Sequence, residues 1–150
     1  MDRDHVMIAC GNCGTRNRVP KVRLGEQPKC GRCKTSLSLE NRYPDYAIGV
    51  NDQTFGKEVL AFPGLVAVYV WSQSCVYCKE LNPVIDRLAF ENTGRVKFAR
   101  LLLDQSPMTA TQYAATTVPS ILFFRRGREV DRLTGAVPKH EIERHLRALL

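Results

Sequence analysis

All six cysteines of the chain fall in C-x-x-C pairs: Cys10 and Cys13, Cys30 and Cys33, Cys75 and Cys78. Two sulfurs at that spacing can share a metal ion, or close into a disulfide and reopen. In a small secreted protein six cysteines suggest three disulfides. In a reducing compartment they suggest metal ligands or redox-active thiols. The residues around them sort the pairs into two kinds.

Cys10-Gly11-Asn12-Cys13 and Cys30-Gly31-Arg32-Cys33 form one set, separated by residues 14–29. The spacing matches a zinc ribbon, in which two short knuckles each supply two thiolates to one tetrahedral ion. Gly11 and Gly31 follow the first cysteine of each knuckle, and Gly14 follows Cys13, as a tight turn favours. The alternatives are two local disulfides or four free thiols. Four thiolates close the shell, so one zinc ion here is structural rather than catalytic. Few large apolar residues lie before residue 40, so metal binding must supply most of the folding energy of this segment. Arg16, Arg18, Lys21 and Arg23 make the loop between the knuckles basic. Such a loop can meet nucleic acid, but no aromatic residue lies between Met1 and Asn41 to stack on bases, which argues for a solvated face.

The third pair, Cys75-Val76-Tyr77-Cys78, has no Cys or His partner in the sixty residues that follow, which argues against half of another metal site. Residues 65–71, Leu-Val-Ala-Val-Tyr-Val-Trp, read as a strand buried on both faces. After Cys78, Leu81, Val84, Ile85, Leu88 and Ala89 recur at helical spacing. The pair is therefore expected at a strand-to-helix junction, in the first turn of the helix. Unpaired N–H groups and the helix dipole there stabilise a thiolate and make Cys75 a nucleophile. Cys78 lies one turn on, close enough to form a disulfide with it.

The remaining elements must hold that junction in place. Residues 52–60 read as a short helix, 95–103 as a second buried strand, and 106–115 as another helix. Residues 116–124 read as a strand entered through Pro119, followed by a turn at 125–128 and a return strand over 129–133. Pro83 should kink the helix after the cysteines. Pro138 opens a last helix with Ile142, Leu146 and Leu149 on one face. The order from residue 65 is βαβαββα, with 41–45 as a link to the ribbon. His5, His140 and His145 form no ligand pattern.

Composition agrees with a folded α/β chain. Of 150 residues, 44% are hydrophobic and 25% charged, which excludes a disordered tail, a collagen-like repeat and a coiled coil. The formal charge of +7 would fall to +5 with a zinc ion held by four thiolates. The longest apolar run, residues 59–71, is interrupted by Pro63 and Gly64, whereas a span needs about 20 residues. No membrane contact is expected. The N-terminus shows no secretory pattern, so a cytoplasmic location is expected.

Taken together, Trp71, the C-x-x-C at 75–78, Pro83, Val118-Pro119-Ser120, Gly127 and Gly135 resemble the thioredoxin family over residues 46–150. The four-cysteine ribbon and Gly135-Ala136-Val137-Pro138-Lys139 resemble its zinc-ribbon-bearing bacterial type, the thioredoxin 2 type. The resemblance implies an α/β thioredoxin fold, a central mixed sheet flanked by helices, at 46–150. A zinc ribbon at 1–40 and a link at 41–45 precede it. It implies a cytosolic thiol-disulfide oxidoreductase that reduces protein disulfides and is itself reduced by a thioredoxin-reductase-like donor. Cys75 would be the nucleophile and Cys78 the resolving thiol. Pro119 would be a cis proline, the Val118 backbone would receive the substrate peptide, and Trp71 would pack beside the site.

Departures from the family pattern carry expectations of their own. Ser74-Cys75-Val76-Tyr77-Cys78 stands where the family has Trp-Cys-Gly-Pro-Cys. Tyr69 stands where the family keeps a buried Asp that takes the proton of the second cysteine. Phenol, with a reference pKa near 10, is a poor base at neutral pH. Arg100 resembles the family's buried Lys, but without its carboxylate it must reach solvent, a carbonyl or the Tyr69 hydroxyl. Cys78 is therefore expected to resolve slowly and the pair to be more oxidising than usual. The competing reading is a non-redox ribbon and thioredoxin-fold module that binds an acidic protein or nucleic acid.

Overall fold

A computed structural model describes residues 4–150. Its organising element is β4 (Leu65–Trp71), in which every side chain as far as Val70 is buried. A strand buried on both faces must be central. β4 pairs in parallel with β5 (Lys97–Leu102) and antiparallel with β6 (Ser120–Arg125). The sheet order is β3-β5-β4-β6-β7, with β3 (Ile48–Val50) and β7 (Arg128–Thr134) at the edges.

Alternation along the strands divides the core between the two faces. Leu65, Ala67 and Tyr69 of β4, with Phe98, Ile121 and Phe123, meet α1 (Cys78–Glu91) and α3 (Lys139–Leu149) through Leu81, Ile85, Leu88, Ile142 and Leu146. Val66, Val68 and Val70, with Leu101, Leu122 and Phe124, point the other way. Phe55, Val59, Phe62 and Tyr43 cover that second face. The β6–β7 hairpin turns through Arg126 and Gly127, at φ 50° and 80°. Two successive positive φ angles give the twist that a two-residue hairpin needs.

Several expectations shift. Residues 52–60 do not form a regular helix: Asn51 caps a turn, with Gln53 N donating to its Oδ1 at 2.9 Å, and a π-helical turn follows at Gly56–Leu60. Lys97, almost fully buried on β5, reaches this turn: its Nζ donates to the Glu58 carbonyl at 2.8 Å and pairs with the Glu58 carboxylate at 3.0 Å. Burial pushes the ammonium down, and Glu58 pulls it partly back up. The helix expected at 106–115 shortens to α2 (Pro107–Gln112), because the backbone turns left-handed at Ala114. Its first amides are capped from a distance: Met108 N and Thr109 N donate to the Asp52 carboxylate at 3.1 and 2.7 Å. α1 runs unbroken through Pro83. β3 is an element the expected order lacked.

The N-terminal segment packs on the sheet rather than hanging from it. β1 (His5–Ala9) and β2 (Arg16–Pro20) form a two-stranded antiparallel sheet. Ile8 and Ala9 are fully buried, and Ala9 joins the second core cluster. Tyr43, within the expected link, is buried: its amide donates to the Met7 carbonyl at 3.0 Å, and its ring meets Phe62 edge-on at 5.0 Å. At Gly94, an added Cβ would lie 2.6 Å from Met7 Cγ, so only glycine allows the ribbon this approach.

Candidate redox centre and metal knuckles

The four ribbon sulfurs lie within 4.8 Å of one another. Cys10 and Cys33 Sγ are 3.5 Å apart, and Cys13 and Cys30 Sγ 3.6 Å. A tetrahedral zinc with about 2.3 Å bonds to sulfur has edges of about 3.8 Å. The donor set and its spacing therefore fit one zinc ion. The knuckles are near copies. Cys10 N donates to the Thr15 carbonyl and Cys30 N to the Thr35 carbonyl, both at 2.8 Å. Gly14 and Lys34, at φ 77° and 67°, close the turns in the left-handed region.

Polar groups prepare two of these sulfurs, those of Cys30 and Cys33, to carry negative charge. The Thr15 and Thr35 hydroxyls lie 3.1 and 3.2 Å from Cys13 and Cys33 Sγ, and Asn12 Nδ2 donates to Cys33 Sγ at 3.6 Å. Thr35 leads in bringing the Cys33 thiol down to about 5. Backbone N–H groups, that of Cys33 foremost, bring Cys30 to about 7. Sequence reasoning found the four cysteines but missed the two threonines. The signal was present: both knuckles read C-G-x-C-x-T.

The third pair sits past the end of β4, at the start of α1. Cys75 and Cys78 are joined by a disulfide with Cα atoms 5.3 Å apart. The helix begins at Cys78, so Cys75 lies in the turn before it rather than in its first turn. The amide of Cys78 donates to Cys75 Sγ at 3.2 Å, the contact that a helix N-terminus offers an anion. Cys75 is 9% exposed and Cys78 1%, so Cys75 is the sulfur an incoming partner can reach. Val76 and Tyr77 between them are largely exposed. Half-buried Trp71 and Val118 pack against the cluster that contains both cysteines. The Val118–Pro119 peptide bond is cis.

Tyr69 is fully buried behind the pair, and its hydroxyl donates to the Cys78 carbonyl at 3.4 Å. Burial pushes the phenol up to about 12, against a smaller pull from the Arg100 charge. Tyr69 thus stays protonated across the neutral range and offers Cys78 no base. Arg100 does not turn to Tyr69. Its guanidinium donates to the Asn82 carbonyl at 3.2 Å and pairs closely with the Asp86 carboxylate. The carboxylate expected to be absent for Arg100 is supplied by α1, one turn after Asn82. Sequence spacing alone gave no sign of Asp86, because the pairing crosses from a helix to a strand.

A cysteine pair at the start of the helix that follows the central strand of a five-stranded mixed sheet defines a thiol-disulfide redox fold. The chain belongs to the thioredoxin family: the family model described as Thioredoxin matches residues 46–148, and the model described as Thioredoxin 2, N-terminal, a zinc ribbon, matches residues 9–35. It is 36% identical over 104 residues to Thioredoxin 1 of Nostoc sp., covering 67% of this chain and 97% of that one. It is 28% identical over 141 residues to Thioredoxin C-3 of Corynebacterium nephridii, covering 94% and 93%. It is 37% identical over 114 residues to chloroplastic Thioredoxin M2 of Arabidopsis thaliana, covering 75% and 61%. The chain spans 61% and 52% of the lengths of two chloroplast relatives, this one and the M-type thioredoxin of Pisum sativum. Family and site together support thiol-disulfide oxidoreductase chemistry at Cys75 and Cys78. Among the described residues no helix is long and apolar enough to cross a membrane.

Proposed function

We propose that the chain is a protein-disulfide reductase working through a Cys75/Cys78 dithiol-disulfide cycle. The observation that carries the reading is the Cys78 amide pointing at the more exposed Cys75 sulfur at the start of α1. The Cys75 thiolate attacks one sulfur of a substrate disulfide. A Cys75–substrate bond forms, the substrate S–S bond breaks, and one substrate thiolate leaves. Cys78 then loses its proton and attacks Cys75 Sγ. The Cys75–Cys78 disulfide forms and the second substrate thiolate leaves. Two electrons pass from the dithiol to the substrate. Trp71 and the Val118 backbone line the approach, and Pro119 shapes it. Tyr69 and Arg100 set the environment of Cys78.

Cys10, Cys13, Cys30 and Cys33 would hold one zinc ion that supplies folding energy to the ribbon and, with its coordination closed, no chemistry. The substrates are disulfide-bearing proteins in the cytoplasm, and a thioredoxin-reductase-like donor returns the electrons. Two variants test the cycle against a model protein disulfide. Cys75→Ser is expected to abolish reduction and to trap nothing. Cys78→Ser is expected to accumulate a covalent adduct that dithiothreitol releases. An adduct formed by Cys75→Ser, or full turnover by either variant, contradicts the reading.

A further inference from the structure

At the opposite end of β4 from the cysteine pair, the first zinc knuckle meets the sheet across a pocket of about 270 Å³. Seven residues of strand put the two ends about 20 Å apart. Four arginines line the pocket: Arg16 from the ribbon, Arg95 ahead of β5, Arg125 at the end of β6, and Arg126 in the hairpin turn. No Asp or Glu side chain lines it. Among the described residues none of the four forms an ion pair, although arginines elsewhere in the chain do, at Arg87, Arg100, Arg132 and Arg144.

Neutral acceptors hold three of the guanidiniums. Arg16 donates to the Gly94 carbonyl at 3.4 Å, Arg95 to Asn92 Oδ1 at 3.0 Å, and Arg125 to the Leu149 carbonyl. Arg126 lies over the zinc knuckle, where a Cβ added at Gly14 would come within 2.6 Å of its Nη2. The hydroxyl of Tyr43 also reaches this seam, closely enough that a Cβ on Gly64 would lie 2.2 Å from it. Burial pushes the Tyr43 phenol up, and the charges of Arg16 and Arg125 both act on it in the other direction. Four guanidiniums are thus gathered, three of them oriented by neutral acceptors, beside a phenol able to donate, and the Cys13 thiolate of the knuckle is the anionic side chain that also lines the pocket.

Guanidinium forks match phosphate oxygens two at a time, and the charge tells one anion from another. A carboxylate would neutralise one of the four cations. A phosphate group carries about −1.5 to −2 near neutral pH, and two in tandem present enough oxygens for forks on both sides of the seam. We propose that the Arg16/Arg95/Arg125/Arg126 pocket binds a tandem-phosphate anion, pyrophosphate or the phosphate tail of a nucleotide, across the seam between ribbon and sheet. The bound anion ties Arg16 of the ribbon to three arginines of the sheet and so clamps one on the other. The site lies apart from the redox pair and does not depend on the cycle proposed for it.

Isothermal titration of the zinc-loaded chain with pyrophosphate, ADP and adenosine, in phosphate-free buffer at fixed ionic strength, tests this. Zinc content is checked after each run. Saturable binding of pyrophosphate and ADP without binding of adenosine is expected. Equal affinities identify the phosphates as the whole ligand, and tighter ADP identifies a nucleotide. Loss of one charged hydrogen-bonding fork should weaken binding about tenfold in Arg95→Gln and in Arg126→Gln. Arg144→Gln, on α3 and paired with Glu141, should bind as the parent does. All three variants should reduce a protein disulfide at the parent rate, which also shows that they are folded. No saturable binding, affinity unchanged in Arg95→Gln and Arg126→Gln, or an equal loss in Arg144→Gln overturns the proposal. So does a chain that binds a single-stranded oligonucleotide and not pyrophosphate.

Discussion

Tyr69→Asp is expected to speed release of reduced substrate from the Cys75 mixed disulfide by about a hundredfold, the low end of what a positioned general base contributes. Reduced chain mixed with excess peptide disulfide in a stopped-flow instrument should show two phases, attack by Cys75 and then resolution by Cys78. Only the second should change. In the parent, the phenol that meets the Cys78 backbone is held near 12 and already spends its proton on the Cys78 carbonyl. Cys78 must therefore give its proton to water, and the second phase should climb steadily as pH rises through the neutral range. An Asp at position 69, raised by burial and pulled partly back by the Arg100 charge that already acts there, would supply a base below the thiol's own pKa, lift the rate at lower pH and flatten the climb. Tyr69→Phe is the control: it removes the hydroxyl without adding a base, and the second phase should not move. The Asp variant loses packing, since truncating a buried aromatic costs about 3–5 kcal/mol. The first phase, carried by Cys75, shows whether it is folded. A second phase equal to that of the parent in a variant with a normal first phase contradicts this account of Tyr69.

Cys30→Ser is expected to empty the metal site and to unfold more than the knuckle. The ribbon's own apolar content is small, while structural zinc in peptide fingers contributes about 10–16 kcal/mol. With three thiolates the shell no longer closes. Zinc content should fall from one ion per chain to none, and amides of β1 and β2 should exchange with solvent. The effect should reach the sheet, because Ile8 and Ala9 are fully buried and Tyr43 is pinned to Met7 beneath the ribbon. The melting midpoint of the whole chain should therefore drop, where a freely tethered ribbon would leave it unchanged. A Cys30→Ser chain that keeps one zinc ion and protected β1 amides contradicts the structural role.

The parts of the fold that were legible in the sequence are those where one physical signal dominates. Residues 65–71 have no polar break, so a central strand was the only economical reading. The spacing of Leu81, Ile85 and Leu88 placed α1, and the Arg-Gly turn placed the β6–β7 hairpin. The illegible parts depend on partners distant in sequence. β3 has three residues, one of them Gly49, and is a strand only because β5 lies beside it. Residues 52–60 have helical composition, but the Asn51 cap and the Lys97 anchor on Glu58 wind them differently. Tyr43 looked like part of a polar link, and only the docked ribbon explains its burial.

The candidate sites divide in the same way. C-x-x-C spacing announces sulfurs that can act together, and the doubled C-G-x-C-x-T pattern even held the knuckle threonines. No spacing announces Asp86 beside Arg100, or four arginines from three separate segments meeting at one seam. Charge on a sequence has no direction until a fold supplies it.

The central claim, that Cys75 and Cys78 form a working dithiol-disulfide couple, is tested most directly by their reduction potential, read from Trp71 fluorescence in thiol buffers with Cys75→Ser as the blank. With neither the family's proline between the cysteines nor its buried acid, the couple should show a reversible two-electron transition more positive than the −270 mV or so of thioredoxin. A transition at or below that value contradicts the predicted shift, and no reversible transition in zinc-loaded chain contradicts the redox function itself.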